Sequence, residues 1–530
     1  MRYTLFLLGF MVISLISAAQ MTVKEFNIES HYLNIPVSME QERQMVKFVE
    51  GADTVTYSVI RISDGEPDYW VFKDVSAWKG KTLKMVFSRH VKGLDKIYQS
   101  DRFAGQDSLY REINRPQFHF TTRRGWINDP NGLVYHNGEY HLFYQHNPYE
   151  TQWENMHWGH AVSTDLLHWT ELNTALYPDT LGTMFSGSAV IDHNNSAGWG
   201  KDAMVAFYTA AGRKMTQNVA WSLDNGRTLT KYDGNPILGP DRDPKVFWYE
   251  PAKVWVMVLY DDNFLAIYNS KDLKSWEYKS RNKGFYECPE LFELAVDGDQ
   301  NNRKWVMYGA SGTYMTGDFN GEVFTPDAGK YFYSWGSQYA AQTFNNTPDG
   351  RRIQIGWGRI EQRGMPFNQM MLFPAELTLR TTREGVRLFC EPVREIGKLH
   401  GRKHSWTDLS GAEANEKLHA VNGDLLHLKM DIGIVGWWTF EVLYRGNSLL
   451  NFDGNFNRFN GAPYTCDDPG SLRFKVEMLI DRTSVEAFIG NGKLFISEGL
   501  KPAKNNDGLQ IRGNTWVYSM EVNELNSVYQ

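Results

Sequence analysis

Three acidic residues that each precede an apolar strand pattern stand just ahead of proline: Asp129-Pro130, Asp243-Pro244 and Glu287-Cys288-Pro289. Brought together, they would allow three kinds of chemistry. A carboxylate pair cleaves glycosidic bonds, one acid attacking and the other donating a proton, with about 5–5.5 Å between them when configuration is retained. Several carboxylate oxygens also make a calcium or magnesium site. The third reading is structural, an acidic side chain capping a turn before proline. The neighbours extend the list: Trp126 and Asn128 beside Asp129, Arg242 beside Asp243, and His146, Trp153, His157, Trp158 and His160 downstream. A carboxylate stabilised by an adjacent Arg and another set among apolar and aromatic groups acquire different protonation states, and so different roles. Hydroxyl-rich ligands need acceptors such as Asp and Asn, donors such as Arg and Gln, and an aromatic wall, and all are present.

The acids lie far apart in sequence, so repeated elements must gather them. Within 116–395, polar starters precede apolar strands at Asp129-Pro130, Ser186-Gly187, Asp243-Pro244, Glu287-Cys288-Pro289 and Gln342-Thr343, spaced by 57, 57, 44 and 55 residues. Aromatic-rich second strands follow several of them, as at Tyr140–Tyr144, Ala203–Tyr208, Trp255–Tyr260 and Trp305–Tyr308, and a further echo links Ser163–Trp169 with Ser270–Trp276. Five repeats of about 50 residues, each with three or four strands, predict a five-bladed β-propeller. In that architecture the first strand of every blade lines the central channel, so the starters converge at one mouth.

Elsewhere helical periodicity is scarce. Short alternating runs such as Thr54–Ile60, Lys84–Phe87 and Glu139–Tyr144 predict strands, and Asn131-Gly132, Asn137-Gly138, Asn225-Gly226 and Asn491-Gly492 predict hairpin turns in an all-β chain. Residues 20–111, with Tyr69–Phe72, read as a small β module. Residues 398–530, with alternation at Leu472–Ile480 and Ser484–Ile489, read as a β-sandwich. The propeller takes 112–397.

The 530 residues carry 55 basic and 62 acidic side chains, a net charge of −7, which leaves no electrostatic footprint for nucleic acid or an anionic membrane. Eighteen Trp, 27 Tyr and 30 Phe suit either stacked sugar rings or aromatic strand pairs. Arg2, the apolar run Leu5–Ile16 and Ser17-Ala18-Ala19 make a secretory signal peptide over 1–19, cleaved after Ala19, with no Cys nearby for a lipid anchor. The run is too short to span a bilayer, which takes ~20 apolar residues. Three cysteines, Cys288, Cys390 and Cys466, are too few for a disulfide scaffold in an exported chain.

The motifs resemble glycoside hydrolase family 32, which includes invertases, inulinases and levanases. The resemblance is carried by Phe118-His-Phe, Gly125-Trp-Ile-Asn-Asp-Pro-Asn-Gly132, Gln145-His-Asn-Pro148, Met156-His-Trp-Gly-His160, Phe185-Ser-Gly-Ser188, Arg242-Asp-Pro244 and Glu287-Cys-Pro289. It continues through Tyr339–Phe344, Gly356-Trp357, Gly364–Phe367 and Pro374–Leu379 to Ile480–Phe488, so it covers about 115–530. It implies a five-bladed propeller followed by a sandwich. It also implies that Asp129 is the nucleophile, Glu287 the general acid/base and Asp243 the transition-state stabiliser. Asn128, Gln145, Trp153, Phe185, Ser186, Arg242 and Trp357 would line the fructose subsite, and Cys288 would sit behind Glu287 as a pKa influence or a small buried residue. Two departures bear on sugar contacts. The chain reads Gly336-Ser337-Gln338 where the family often has an Asp, and Tyr286 where Trp is also common.

No cofactor and no metal is expected. His157 and His160 read as hydrogen-bonding core residues rather than zinc ligands. The expected activity is secreted, retaining cleavage of β-fructofuranosidic bonds, with exo-release of fructose from fructans and sucrose favoured by export and the extra module. An endo-acting levanase or inulinase is the alternative within the class. A non-catalytic fructan-binding protein is the alternative outside it, and a related five-bladed enzyme on arabinans or xylans is disfavoured by the motif order. Oligomeric state is not readable from the sequence.

Overall fold

A computed structural model of the chain describes residues 21–529 apart from 437–438, 467–471, 502 and 504–506. The expected signal peptide therefore lies outside the described residues. Among those described, no helix is long and apolar enough to cross a membrane.

The amino-terminal module is two small sheets. One places strand Asp53–Ile60 at its edge, next to Gln44–Glu50. The other pairs Tyr32–Val37 with Tyr69–Asp74 and Tyr98–Ser100. The alternation read from Thr54–Ile60 turns Thr56, Ser58 and Ile60 inward. Phe26, Leu33, Ile35, Phe48, Val71 and Phe87 form a core of the module's own, and one residue from beyond it, Tyr149, packs into that core.

Next comes a β-propeller, in a five-stranded, two four-stranded and one nine-stranded sheet among the described residues, and the five sequence repeats fall on these sheets. Their first strands are Gly125–His136, Thr183–Asp192, Arg242–Tyr249, Glu290–Val296 and Gln338–Thr343. In Glu139–Asn147, the second strand of the first blade, every residue from Tyr140 onward is buried because neighbouring blades cover both faces. Asn137-Gly138, with φ of 46° and 86°, makes the predicted hairpin turn. Asn131-Gly132 does not: it lies inside Gly125–His136 at a register shift, where Gly132 leaves room for the rings of Phe143 and Trp158. Asn131 instead reaches the next blade, its Oδ1 accepting from Gly187 N at 3.2 Å.

That contact illustrates how the blades are joined. Three of the first strands, Thr183–Asp192, Arg242–Tyr249 and Gln338–Thr343, lie at the edge of their sheets, and backbone groups left unpaired on first strands need partners. Side chains supply them: Gln342 accepts from Leu133 N and donates to Gly187 O, and Asn345 donates to Ala189 O and Val246 O. Further along the channel, Lys245 and Glu290 form a buried ion pair at 2.8 Å, with Thr343 hydrogen-bonded to both. The ring closes where Asn345 and the segment Leu133–Tyr135 exchange backbone hydrogen bonds.

Among the described residues, the carboxy-terminal sandwich packs a seven-stranded sheet, whose edge strand Ser334–Gly336 comes from the propeller segment, on a five-stranded one, with one α-helix, Gly411–Leu418, started by a Ser410/Glu413 capping box. Two motifs far apart in sequence lock it to the propeller. His119 lies fully buried between Asp481 at 2.8 Å and Glu486 at 2.7 Å, and Asp481 also accepts from Gln117 N and Phe118 N.

Candidate active site

Four of the five first strands shift register at the same level: between Ile127 and Pro130, Phe185 and Gly187, Arg242 and Lys245, and Tyr339 and Gln342. A bulge inserts residues that have no ladder partner and turns them out of the strand. Asp129, Ser186 and Asp243 are such residues. Proline fits beside them because a bulge leaves no ladder donor to lose. Gly187 is required, since a Cβ there would sit 1.9 Å from Phe207 O. In the fourth blade Glu287 and Cys288 lie just ahead of the strand, and Ala310 N holds Glu287 O at 2.9 Å. Asp243, Glu287, Cys288 and Ala340 all have positive φ, between 31° and 65°. Each such residue costs on the order of 1–3 kcal/mol, and clusters of them mark functional sites.

The bulges bring the three acids to one mouth of the channel. Asp129 Oδ2 accepts from Ser186 Oγ at 2.6 Å, and Oδ1 from Asn128 Nδ2 at 3.2 Å. Asn128 is oriented in turn by Trp126 Nε1 at 2.9 Å. Glu287 has different company: Arg242 donates to Oε2 from Nε at 3.1 Å and Nη2 at 2.8 Å, while the Tyr339 hydroxyl lies 2.7 Å from Oε1. Asp243 Oδ2 accepts from Cys288 N at 3.2 Å. The Cys288 thiol stands between the two aspartates, 3.6 Å from Asp129 Oδ2 and 3.7 Å from Asp243 Oδ2, rather than behind Glu287.

Electrostatics follow from this crowding. Burial raises the Asp129 carboxyl against the hydrogen bonds of Ser186 and Asn128. Burial, with the charges of Asp129 and Glu287, lifts Asp243 up to about 7 despite Arg242. That reverses the expectation that the adjacent Arg holds Asp243 low, because burial and the two neighbouring carboxylates outweigh Arg242, whose guanidinium fork is turned to Glu287. Burial also pushes the Cys288 thiol well up, so it acts here as a neutral, weak donor.

The remaining sequence-predicted residues gather round the same mouth. Gln145 is buried on the strand facing the Asn128–Asp129 bulge. Phe185 meets Trp153 edge to face at 5.9 Å, with Trp153 49% exposed at the rim. Trp357 stands between Trp126 at 6.0 Å and Tyr339 at 6.1 Å and donates to Gln369 Oε1. Sequence reasoning gave no role to Tyr339 or Tyr260 and named Tyr286 only as a position bearing on sugar contacts; the rings of Tyr260 and Tyr286 flank the Arg242 guanidinium at 4.6 and 5.3 Å. Tyr339 was visible only inside a motif, and the partner of its hydroxyl is a three-dimensional fact. His157 and His160 are core residues, as expected. Both are buried, and His160 Nε2 meets His141 Nδ1 at 3.1 Å. Among the described residues no cluster of His, Cys, Asp and Glu could hold a metal ion.

A propeller whose channel mouth pairs a hydroxyl-bonded carboxylate with an Arg-held one, inside an aromatic wall, defines a glycoside hydrolase. Residues 119–392 match the family model described as the glycosyl hydrolases family 32 N-terminal domain. A levanase of Bacillus subtilis is 39% identical over 491 residues, covering 80% of this chain and 72% of its own. An extracellular exo-inulinase of Aspergillus ficuum is 30% identical, covering 79% and 96%. The crystal structure of exo-inulinase from Aspergillus awamori superposes with a TM-score of 0.70 at 28% identity, over 79% of this chain and 100% of that one. The chain belongs to glycoside hydrolase family 32.

Proposed function

We propose that the protein is an exported, retaining β-fructofuranosidase that releases fructose from the ends of fructans and from sucrose. The observation that carries this reading is the pairing at the mouth: Asp129, held on both oxygens by Ser186 and Asn128, beside Glu287, held by Arg242 and Tyr339. Asp129 attacks the anomeric carbon of fructose while Glu287 protonates the departing glycosidic oxygen, so the bond to the leaving group breaks as a fructosyl–Asp129 ester forms. Glu287 then takes a proton from water, whose oxygen attacks the same carbon and frees fructose with Asp129 restored. Asp243 bonds sugar hydroxyls as positive charge develops on the ring. Gln145, Ser186, Phe185, Trp153 and Trp357 line the subsite.

The exo reading is favoured, as in the sequence, by export and the extra module. The relatives named exo-inulinase accord with it. Residues 1–19 are assigned to export, 20–111 to the extra module, 112–397 to the propeller and 398–530 to the sandwich.

The test is product analysis by chromatography after incubation with sucrose, inulin and levan, with Asp129→Asn as the blank. Early release of fructose alone from a polymer is the expected result. A ladder of oligosaccharides would replace exo- with endo-attack. Normal turnover by Asp129→Asn would refute the assignment of the nucleophile, and no product from any of the three would favour a fructan-binding protein.

A further inference from the structure

The segment that carries Trp153 is gripped by the amino-terminal module, which lies outside the residues matched by the family model. Tyr149, 2% exposed, inserts into the module's own core and stacks on Phe48 at 6.3 Å. The next residue, Glu150, has a fully buried side chain and receives both Arg43 and Arg61 at 2.9 Å. Gln152 Oε1 accepts from the same two guanidinium groups, at 3.4 and 3.3 Å. Arg43 also pairs with Glu154 at 2.9 Å, on the other side of Trp153. Asn155 ends the segment by exchanging two hydrogen bonds of 2.6 Å with the backbone of Val59. Val59 lies on the edge strand Asp53–Ile60, so the Asn155 amide completes the edge of that sheet as a neighbouring strand would.

The module thus holds the residues on both sides of Trp153, while the Trp153 ring is left facing Phe185 at the pocket rim. We infer that the amino-terminal module is a positioning element for the substrate pocket, with Arg43 and Arg61 fixing the Trp153 wall through Glu150 and Glu154. Both arginines pair with Glu150, and Arg43 with Glu154, rather than with Asp129, Asp243 or Glu287. Their effect is on how well the rim is ordered before sugar arrives, and so on affinity more than on the chemical step. This rests on the β-fructofuranosidase reading, because the substrate meets the rim only in that case.

A double-mutant cycle separates positioning from simple docking of the module. KM and kcat on sucrose are measured for the wild type, Arg43→Gln/Arg61→Gln, Trp153→Ala and the combined variant, with Arg43→Lys/Arg61→Lys as the conservative pair and thermal unfolding as the control for folding. We expect the Gln pair to raise KM roughly 5- to 10-fold with kcat within about twofold, the Lys pair to recover most of that, and the Gln pair to add less than about twofold once Trp153 is gone. If the Gln pair does not fold, Asn155→Gly takes its place, because glycine keeps the positive φ of 52° while removing the two bonds to Val59. An unchanged KM, or an equal rise in KM in the Trp153→Ala background, would overturn the proposal while leaving the enzyme assignment intact. A wild type without fructose release would overturn both.

Discussion

The guanidinium of Arg242 lies 2.8 Å from Oε2 of Glu287 and 3.6 Å from Oδ2 of Asp243, its neighbour in the chain. Its planar fork sits between the rings of Tyr260 and Tyr286, and Nη2 also donates to the Tyr286 hydroxyl at 3.0 Å. This geometry cannot be kept by an ammonium, which is a point charge without a fork. Arg242→Lys is therefore expected to lower kcat/KM on sucrose by about 10²-fold, and Arg242→Gln by more. Steady-state kinetics check it, and wild-type values for the Lys variant would mean that charge alone holds Glu287.

Tyr339 provides the other constraint on Glu287, through its hydroxyl at Oε1. Tyr339→Phe keeps the ring that meets Trp357 and removes only the oxygen. Losing one hydrogen bond to a reacting group costs about 1–2 kcal/mol, or roughly 5- to 30-fold in kcat, with KM nearly unchanged. A large rise in KM with kcat preserved would instead assign Tyr339 to sugar binding.

Asp243 sets a dependence of stability on pH. Its carboxyl rises from 3.8 to about 7 in the folded protein, so between those values the native state keeps a proton that the unfolded chain has lost. Stability contributed by this group is complete below about pH 4 and is lost as pH rises to 7. Asp243→Asn cannot ionise and can still accept from Cys288 N. It is expected to lose activity yet gain stability at pH 8 by up to about 4 kcal/mol, with little gain at pH 4. Denaturant unfolding at the two pH values measures both, and a variant less stable than the wild type at pH 8 would show that the buried charge is better compensated than these contacts indicate.

The repeat was legible because each blade spells it locally: a polar starter, an apolar strand and an aromatic second strand. The three acids were legible for the same reason, since equivalent places in a repeat share one mouth. What the sequence could not reveal is direction and partnership. Arg242 is adjacent to Asp243 but the bulge turns it toward Glu287, and Asn131-Gly132 has the composition of a hairpin turn yet sits in a bulge because Phe143 and Trp158 need the space. The grip of Arg43 and Arg61 on Glu150 joins residues 107 and 89 positions apart, and no local pattern encodes such pairs.

His119 shows the same point at the junction of propeller and sandwich. Two motifs, Phe118-His-Phe and the run from Ile480 to Phe488, meet as a buried triad in which one imidazolium is shared by Asp481 and Glu486. Burial opposes the charged ring, but the hydrogen bonds and charges of the two acids outweigh it and lift His119 from 6.5 to about 9. The native state then holds a proton that the unfolded chain releases above pH 6.5. The triad's contribution is complete below that value and is lost as pH climbs through 9, a difference of roughly 3 kcal/mol. The wild type is expected to become steadily less stable from pH 7 to 9.5. His119→Gln removes the shared charge and leaves two buried acids without it, at a cost of about 3–5 kcal/mol near pH 7, and should flatten the pH dependence over the same range. Chemical denaturation of both proteins across that range decides the matter. A wild-type profile that is flat from pH 7 to 9.5, or equally sloped in the variant, would mean that the ring is neutral in the folded protein and that the junction is held by packing and backbone hydrogen bonds instead.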